Sequence, residues 1–340
     1  MEFNPVFPVG EYCIELGQSH EGSLGYVLSM LDSLAKRSIK LVKFQMHLPE
    51  YESTNLETFR IPLSGQDSTR SEYWSRTGFK VSEWQIIKDR CDELNIEFLC
   101  TPLSIHAVEI LEKLGVKRYK IASGDLTNTQ IIGAVIKTNK PIILSTGMSD
   151  HAEIRKAVDF IGDSDLTLLQ CTSKYPASVQ ESGFNIISSF QKLYPKCKVG
   201  FSDHTGNPYL AMWAFAHGCT FVEQHVVLSK EQFGPDTSSS IDLHGVDQVA
   251  SFLEVGRLAL MSNVDKDEVS RSLVQIRKIF GRGISPTRVI EIGECITEEL
   301  LTFKKPQGAF HWNERNLILG KTAKRRLYPD EHINFSDLND

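Results

Sequence analysis

The chain has 340 residues, a hydrophobic fraction of 41%, a charged fraction of 24% and a formal net charge of -6. These values are ordinary for a soluble globular protein with a core of normal size, and the absence of a basic block argues against a nucleic-acid partner. The seven cysteines are odd in number and form no CxxC pair, which argues against a disulfide framework or a zinc ribbon.

The N-terminus, MEFNPVFPVG, has neither a basic region nor an apolar core and does not read as a signal peptide. No stretch approaches the ~18 apolar residues of a membrane span. A cytoplasmic location is therefore expected. Along the chain, short apolar runs alternate with amphipathic stretches. The runs cover residues 12–16, 41–45, 97–101, 118–121, 141–145, 166–171, 198–202 and 221–226. Between them, Ala107, Ile110, Leu111 and Leu114 recur at helical spacing, as do Trp84, Ile87, Cys91 and Leu94. Helices also fit 23–37, 127–138, 150–161, 183–193, 207–217 and 245–262. Eight alternating β and α units predict a closed (β/α)8 (TIM) barrel, since open doubly wound sheets commonly have five or six strands.

Residues 49–81 break this rhythm. The segment is long, polar and aromatic, and it follows the second strand on the face where barrel active sites lie. From about residue 283 the pattern changes again. Short strand-like pieces at 288–292, 300–303, 317–319 and 332–335 predict a small β-rich domain. The division is a barrel at 1–265, a polar linker or helix start at 266–282 and the β-rich domain at 283–340.

Polar residues should collect at the C-terminal ends of barrel strands. They do so at Glu15, at Lys43 and Gln45, at Thr101, at Ser123 and Asp125, at Ser145 and Thr146, at Thr172 and Ser173, at Ser202, Asp203 and His204, and at Glu223 and His225. Any single Ser or Thr there has a plain alternative as a helix cap. Lys43 and Lys120 lie within strands, where a charge is costly unless paired or facing a site. They make an anion site with neighbouring hydroxyls, or they are buried partners of Glu15 or Glu223. His204 and His225 end adjacent strands. Their imidazoles suit a borderline divalent cation, although two histidines alone are a weak signal.

Nine ordered segments carry a resemblance: QSHEGSL, LVKFQ, FLCTPLS, YKIASGD, PIILSTGMS, LLQCTSKYP, VGFSDHT, VEQHVVL and FGPD. They resemble the sialic acid synthase family over about residues 10–335. The tail resembles, more loosely, the family's antifreeze-like (SAF) domain. The family condenses phosphoenolpyruvate with N-acylated amino sugars to give nonulosonic acids. The resemblance implies that His204 and His225 bind a divalent metal, with Mn2+ expected and Mg2+ or Co2+ the other candidates. It places Glu15 near the reacting carbons. It implies that Lys43, Thr101, Lys120, Ser123 and Ser202 hold phosphoenolpyruvate, with Ser173 beside them where bacterial N-acetylneuraminate synthases usually carry Asn. Gln45, Tyr175 and Asp236 match groups that contact the sugar. Lys305 joins them at a position where the SAF domain usually presents an Arg to the N-acyl group, and Lys cannot reproduce that planar fork. Asp125 replaces a usual Glu and Ser19 a usual Asn. The family also implies a homodimer with swapped SAF domains. A phosphorylated sugar substrate, or a catalytically silent homologue, are the rival expectations.

Overall fold

The computed structural model describes residues 10–54, 56–59 and 66–339, and the N-terminal stretch read above lies outside them. Eight parallel strands close into one barrel in chain order. They are β1 (Glu11–Glu15), β2 (Leu41–Met46), β3 (Glu97–Pro102), β4 (Tyr119–Ile121), β5 (Ile142–Ser145), β6 (Leu166–Cys171), β7 (Lys198–Asp203) and β8 (Phe221–His225). β1 pairs with β8 over its whole length, from Glu11 opposite Phe221 to Glu15 opposite His225.

Helices follow the strands as the apolar spacing predicts. α1 (Leu24–Ala35) buries Val27, Met30, Leu31 and Leu34, and Ser23 caps it by accepting from the Tyr26 N–H. The segment expected to be one long loop contains two short helices, α2 (Pro49–Glu52) and α3 (Arg70–Thr77). α3 starts at a capping box of Thr69 and Glu72. α4 (Val81–Glu93) and α5 (Ile105–Leu114) come next, and α5 ends at Gly115 in the left-handed region. The ring continues with α6 (Thr129–Ile136), α7 (His151–Ile161), α8 (Phe184–Leu193), α9 (Pro208–Ala216) and α10 (Leu243–Met261).

Strand alternation separates two cores. Outward residues such as Ile14, Val42, Phe44, Phe98, Tyr119, Leu144, Leu168 and Phe201 pack under the helices. Inward residues Cys13, Leu41, Leu99, Ile143, Leu169 and Phe221 form a separate apolar layer inside the barrel. Two residues further along each strand, on the same inward face, stand Glu15, Lys43, Thr101, Ser145, Cys171 and Glu223. The interior therefore turns from apolar to polar within one pleat. Arg118 closes the opposite end, bonding Glu11 and Glu97 with its guanidinium 5.7 Å from the centre of the Phe221 ring.

The chain divides into two compact units, Met1–Met261 and Ser262–Asp340. In the second, residues 266–282 hold two helices, α11 (Lys266–Ser272) and α12 (Val274–Phe280). Then come β9 (Gly283–Pro286), paired with β10 (Leu301–Lys304), and β11 (Thr322–Ala323), paired with β12 (Leu338–Asn339). Of the four strand-like pieces, only 300–303 coincides with a ladder strand. Ile290, Ile318 and Ile333 are buried from an irregular backbone, so their apolar spacing imitates strands.

Candidate active site

The polar strand ends open into a pocket of about 380 Å³. Its floor is one ionic network. The Lys43 ammonium lies 2.7 Å from a Glu15 oxygen and 3.5 Å from Glu223 Oε1, and donates to Thr101 Oγ1. Ser202 Oγ donates to Glu223 Oε1, and Gln45 Nε2 donates to Glu15 Oε1 at 2.7 Å. Burial works against the Lys43 charge, but Glu15 and then Glu223 outweigh it and hold the ammonium above its ordinary value. Burial pushes Glu223 up, yet Lys43 and Lys120 overcome it and hold the carboxyl down at about 2. Glu223 Oε2 is buried and has no hydrogen-bond partner among the described residues. Lys43 is thus the ion-paired lysine that the sequence left open as an alternative.

Lys120 is different. It donates to Ser145 Oγ and to the Ile121 carbonyl, and among the described residues no carboxylate lies within 4.0 Å of it. Burial lowers its pKa; Glu223 opposes this at longer range, and Lys43 adds to the lowering. A buried cation with no carboxylate in contact, compensated only at longer range by Glu223, stands ready for an anion. Beside it, the Gly147 N–H donates to Ser123 Oγ. A Cβ on Gly147 would lie 2.4 Å from Ser173 Oγ, 2.7 Å from Cys171 Sγ and 3.1 Å from Ser123 Oγ. Three side chains therefore converge where only hydrogen stands. Ser123 and Ser173 line the pocket together with Lys43, Thr101, Lys120, Ser145 and Ser202.

On the rim, the His204 and His225 rings have centroids 5.4 Å apart. His204 Nδ1 is 2.8 Å from the Thr172 carbonyl, which only accepts, so Nδ1 carries the hydrogen and Nε2 keeps its lone pair. Burial, then the neighbouring His225, lowers the His204 pKa to about 4, which leaves the ring neutral near neutral pH. Tyr175 stacks on His204 at 4.2 Å and meets His225 edge-on. Asp236 Oδ2 is 3.9 Å from His225 Nδ1, and Gly17 leaves room for both, since a Cβ there would lie 3.3 Å from each. No group of three or more His, Cys, Asp or Glu among the described residues could hold an ion by itself, so this is not a closed structural site. A neutral, backbone-oriented imidazole beside a second one fits a divalent ion with open positions.

Glu15 lies beneath the pocket as part of the floor network, fully buried. Gln45, Tyr175 and Asp236 line the opening. Lys305 belongs to the second unit, where it is exposed and its ammonium lies 5.2 Å from the Phe280 ring centre. Sequence reasoning gave no role to Gln18, Phe59, Arg70, Tyr73 and Trp74, which also line the pocket. Four of these come from 49–81, where no period marks which residues turn inward. For Glu223, two positions before His225, the sequence offers only a buried partnership with the lysines as an alternative, and it lies 3.5 Å from the Lys43 ammonium.

The fold and the pocket define a TIM-barrel enzyme whose site couples an anion cradle to a pair of imidazoles. The model described as NeuB family matches residues 30–264, and that of the SAF domain matches residues 282–339. The chain is 28% identical to the N,N'-diacetyllegionaminic acid synthase of Campylobacter jejuni, over 94% of this chain and 97% of that one. It is 26% identical to the N-acetylneuraminate-9-phosphate synthase of Homo sapiens, over 94% of this chain and 85% of the relative. A solved structure of N-acetylneuraminic acid synthetase from Leptospira borgpetersenii, in complex with citrate, superposes with a TM-score of 0.67. It is 26% identical and covers 81% of this chain and 92% of its own. The chain belongs to the NeuB family and carries a C-terminal SAF domain.

Proposed function

We propose that this enzyme condenses phosphoenolpyruvate with the open-chain aldehyde of an N-acylated amino sugar, giving a nonulosonic acid and phosphate. The observation that carries the reading is Lys120, a buried cation without a carboxylate partner, set among Ser123, Ser145 and Ser173 in the same pocket as the two imidazoles. Lys120, Lys43, Thr101, Ser123, Ser173 and Ser202 hold the phosphate and carboxylate of phosphoenolpyruvate. Its C3 forms the new bond to the aldehyde carbon, whose oxygen takes a proton and becomes a hydroxyl. Water adds at C2, and the C2–O bond to phosphate breaks as the C2 hydroxyl loses its proton to give the ketone. Glu15 orients that water or takes its proton. Gln45, Tyr175 and Asp236 seat the sugar, and holding both reactants together lowers the entropic barrier. A divalent ion, Mn2+ by expectation and Mg2+ or Co2+ otherwise, would be held by His204 and His225 and would supply Lewis-acid polarisation of an oxygen. The reading extends to a cytoplasmic homodimer in which the SAF domain of one subunit covers the pocket of the other and brings Lys305 to the N-acyl group. A phosphorylated acceptor is the second reading, favoured by Arg70 at the pocket wall.

The test is phosphate release from phosphoenolpyruvate with Mn2+ across N-acyl sugars and their phosphorylated forms. Release that requires an unphosphorylated N-acyl sugar is expected. Release only with phosphosugars selects the second reading, and none across the panel refutes both in favour of a silent binding homologue. His204→Ala and His225→Ala are each expected to abolish turnover with the melting transition retained. Full activity of both under strict chelation refutes the metal site.

A further inference from the structure

His47 follows β2 and is not among the residues that line the pocket, yet it is tied to several that are. Its Nδ1 is 2.6 Å from Glu52 Oε1 and its Nε2 is 3.2 Å from Gln45 Oε1. The other end of the Gln45 amide donates to Glu15 Oε1 at 2.7 Å, and Glu15 pairs with Lys43. The charges decide the direction of this chain. Glu15, bound to an ammonium, is an acceptor, so the amide turns its NH2 toward it. The amide oxygen then faces His47, so Nε2 must donate. Glu52 is an acceptor at Nδ1, so that nitrogen donates as well. Glu52 is itself fixed, because its second oxygen accepts from the Leu48 N–H and its side chain is buried.

The same ring holds the pocket wall. Trp74 lies flat on His47, with centroids 3.7 Å apart and planes at 5°, and the Arg70 guanidinium sits 5.1 Å from the Trp74 ring centre. Both Trp74 and Arg70 line the pocket. Among the described residues, His20 also lies beside His47; it is tilted against Phe79, and burial and then His47 lower its pKa to about 4. A neutral His20 leaves the Glu52–His47 contact without a competing cation on that side.

We propose that Glu52, His47 and Gln45 form a positioning relay that orients the Glu15 carboxylate and couples it to the seating of α3 against the pocket. None of the three relay residues needs to touch the reacting atoms for this. The inference rests on the reading that Glu15 serves the condensation. If the amide is released, Glu15 keeps its Lys43 partner but loses the hydrogen bond that fixes its second oxygen. Chemistry then slows while phosphoenolpyruvate, held on the Lys120 side, still binds.

The test uses the full-length enzyme with Mn2+ and two variants. His47→Phe keeps a ring against Trp74 and removes both hydrogen bonds. Glu52→Gln keeps the shape and removes the charge. Both are expected to lower kcat about 10- to 100-fold with the KM for phosphoenolpyruvate within about twofold. The double variant is expected to lose no more than His47→Phe alone. Equal kcat in Glu52→Gln and wild type, or a loss carried entirely by KM, overturns the relay. An independent readout needs no activity. Nitrogen-15 spectra of the histidine rings near neutral pH should show one ring with hydrogen on both nitrogens, missing in His47→Phe and altered in Glu52→Gln. A His47 ring with one bare nitrogen overturns the relay even if the wild-type enzyme turns over. A doubly donating ring in a wild-type protein that releases no phosphate keeps the relay and refutes the assigned reaction instead.

Discussion

The two pocket lysines should respond in opposite directions to the same substitution. Lys43→Met removes the partner of Glu15 and a near neighbour of Glu223, leaving buried carboxylates uncompensated. Breaking a buried pair from one side costs about 3 to 5 kcal/mol. Lys120→Met removes a buried cation with no carboxylate in contact. It gives up bonds to Ser145 Oγ and the Ile121 carbonyl and a longer-range attraction to Glu223, which is smaller than the burial cost that lowers the Lys120 pKa. The released hydroxyl can turn to the pocket, so the net change is a gain of roughly 1 kcal/mol. At about 2 °C per kcal/mol for a unit of this size, the barrel transition should fall by about 6 to 10 °C in Lys43→Met and rise by about 2 °C in Lys120→Met. Ligand binding should not follow stability. Losing one charge-assisted bond of about 1.5 to 3 kcal/mol weakens phosphoenolpyruvate binding by about 10- to 100-fold in Lys120→Met. Thermal melts without ligand and titration calorimetry with phosphoenolpyruvate measure both. Equal melting losses in the two variants, or unchanged affinity in Lys120→Met, would refute the division of labour between them.

Two further outcomes follow from the geometry. Gly147→Ala puts a methyl 2.4 Å from Ser173 Oγ, and that hydroxyl can rotate away. Melting should fall by about 2 to 6 °C, because the methyl also meets the buried Cys171 Sγ at 2.7 Å and overpacking costs about 1 to 3 kcal/mol. Phosphoenolpyruvate affinity should drop at least about tenfold, because the converging groups are displaced. Unchanged affinity by calorimetry would remove Gly147 from the cradle. His20 supplies a pH test. Burial and then His47 hold its pKa at about 4, below the ordinary 6.5, so the unfolded chain binds its proton first as pH falls. This costs nothing above pH 6.5 and grows to about 2 kcal/mol by pH 5, levelling off near pH 4. Denaturant titrations at pH 7 and pH 5 should show a smaller acid-induced loss in His20→Asn than in wild type, and equal losses would contradict the buried neutral ring.

The barrel was legible because each strand is a continuous apolar run ending in a polar residue, and a parallel strand buried on both faces leaves that trace. The order of the strand ends makes His204 and His225 neighbours on one rim, and the charges of Lys43 and Lys120 within strands mark them as paired or facing a site. What stayed hidden was pairing. Sequence shows that Lys43 and Lys120 face inward, but not that Glu15 reaches only the first. The contributions of Phe59, Arg70, Tyr73 and Trp74 depend on how two short helices fold back, and α3 is anchored by long-range bonds such as Tyr73 to Glu21. In the SAF domain, Ile290 and Ile318 are buried from backbone that forms no continuing ladder, so alternation misreads them as strand.

The change from apolar to polar inside the barrel has an evolutionary reading. Cys13, Leu41, Leu99, Ile143, Leu169 and Phe221 seal the interior beneath the ionic floor without lining the pocket. The wall of Phe59, Arg70, Tyr73 and Trp74 lines the pocket without belonging to any barrel strand. Under the proposed reaction, acceptor preference can drift by exchange of one insertion while the fold's keel and the ionic floor stay fixed. For an engineer, the 49–81 segment is the natural cassette to transplant between relatives that make different sugars.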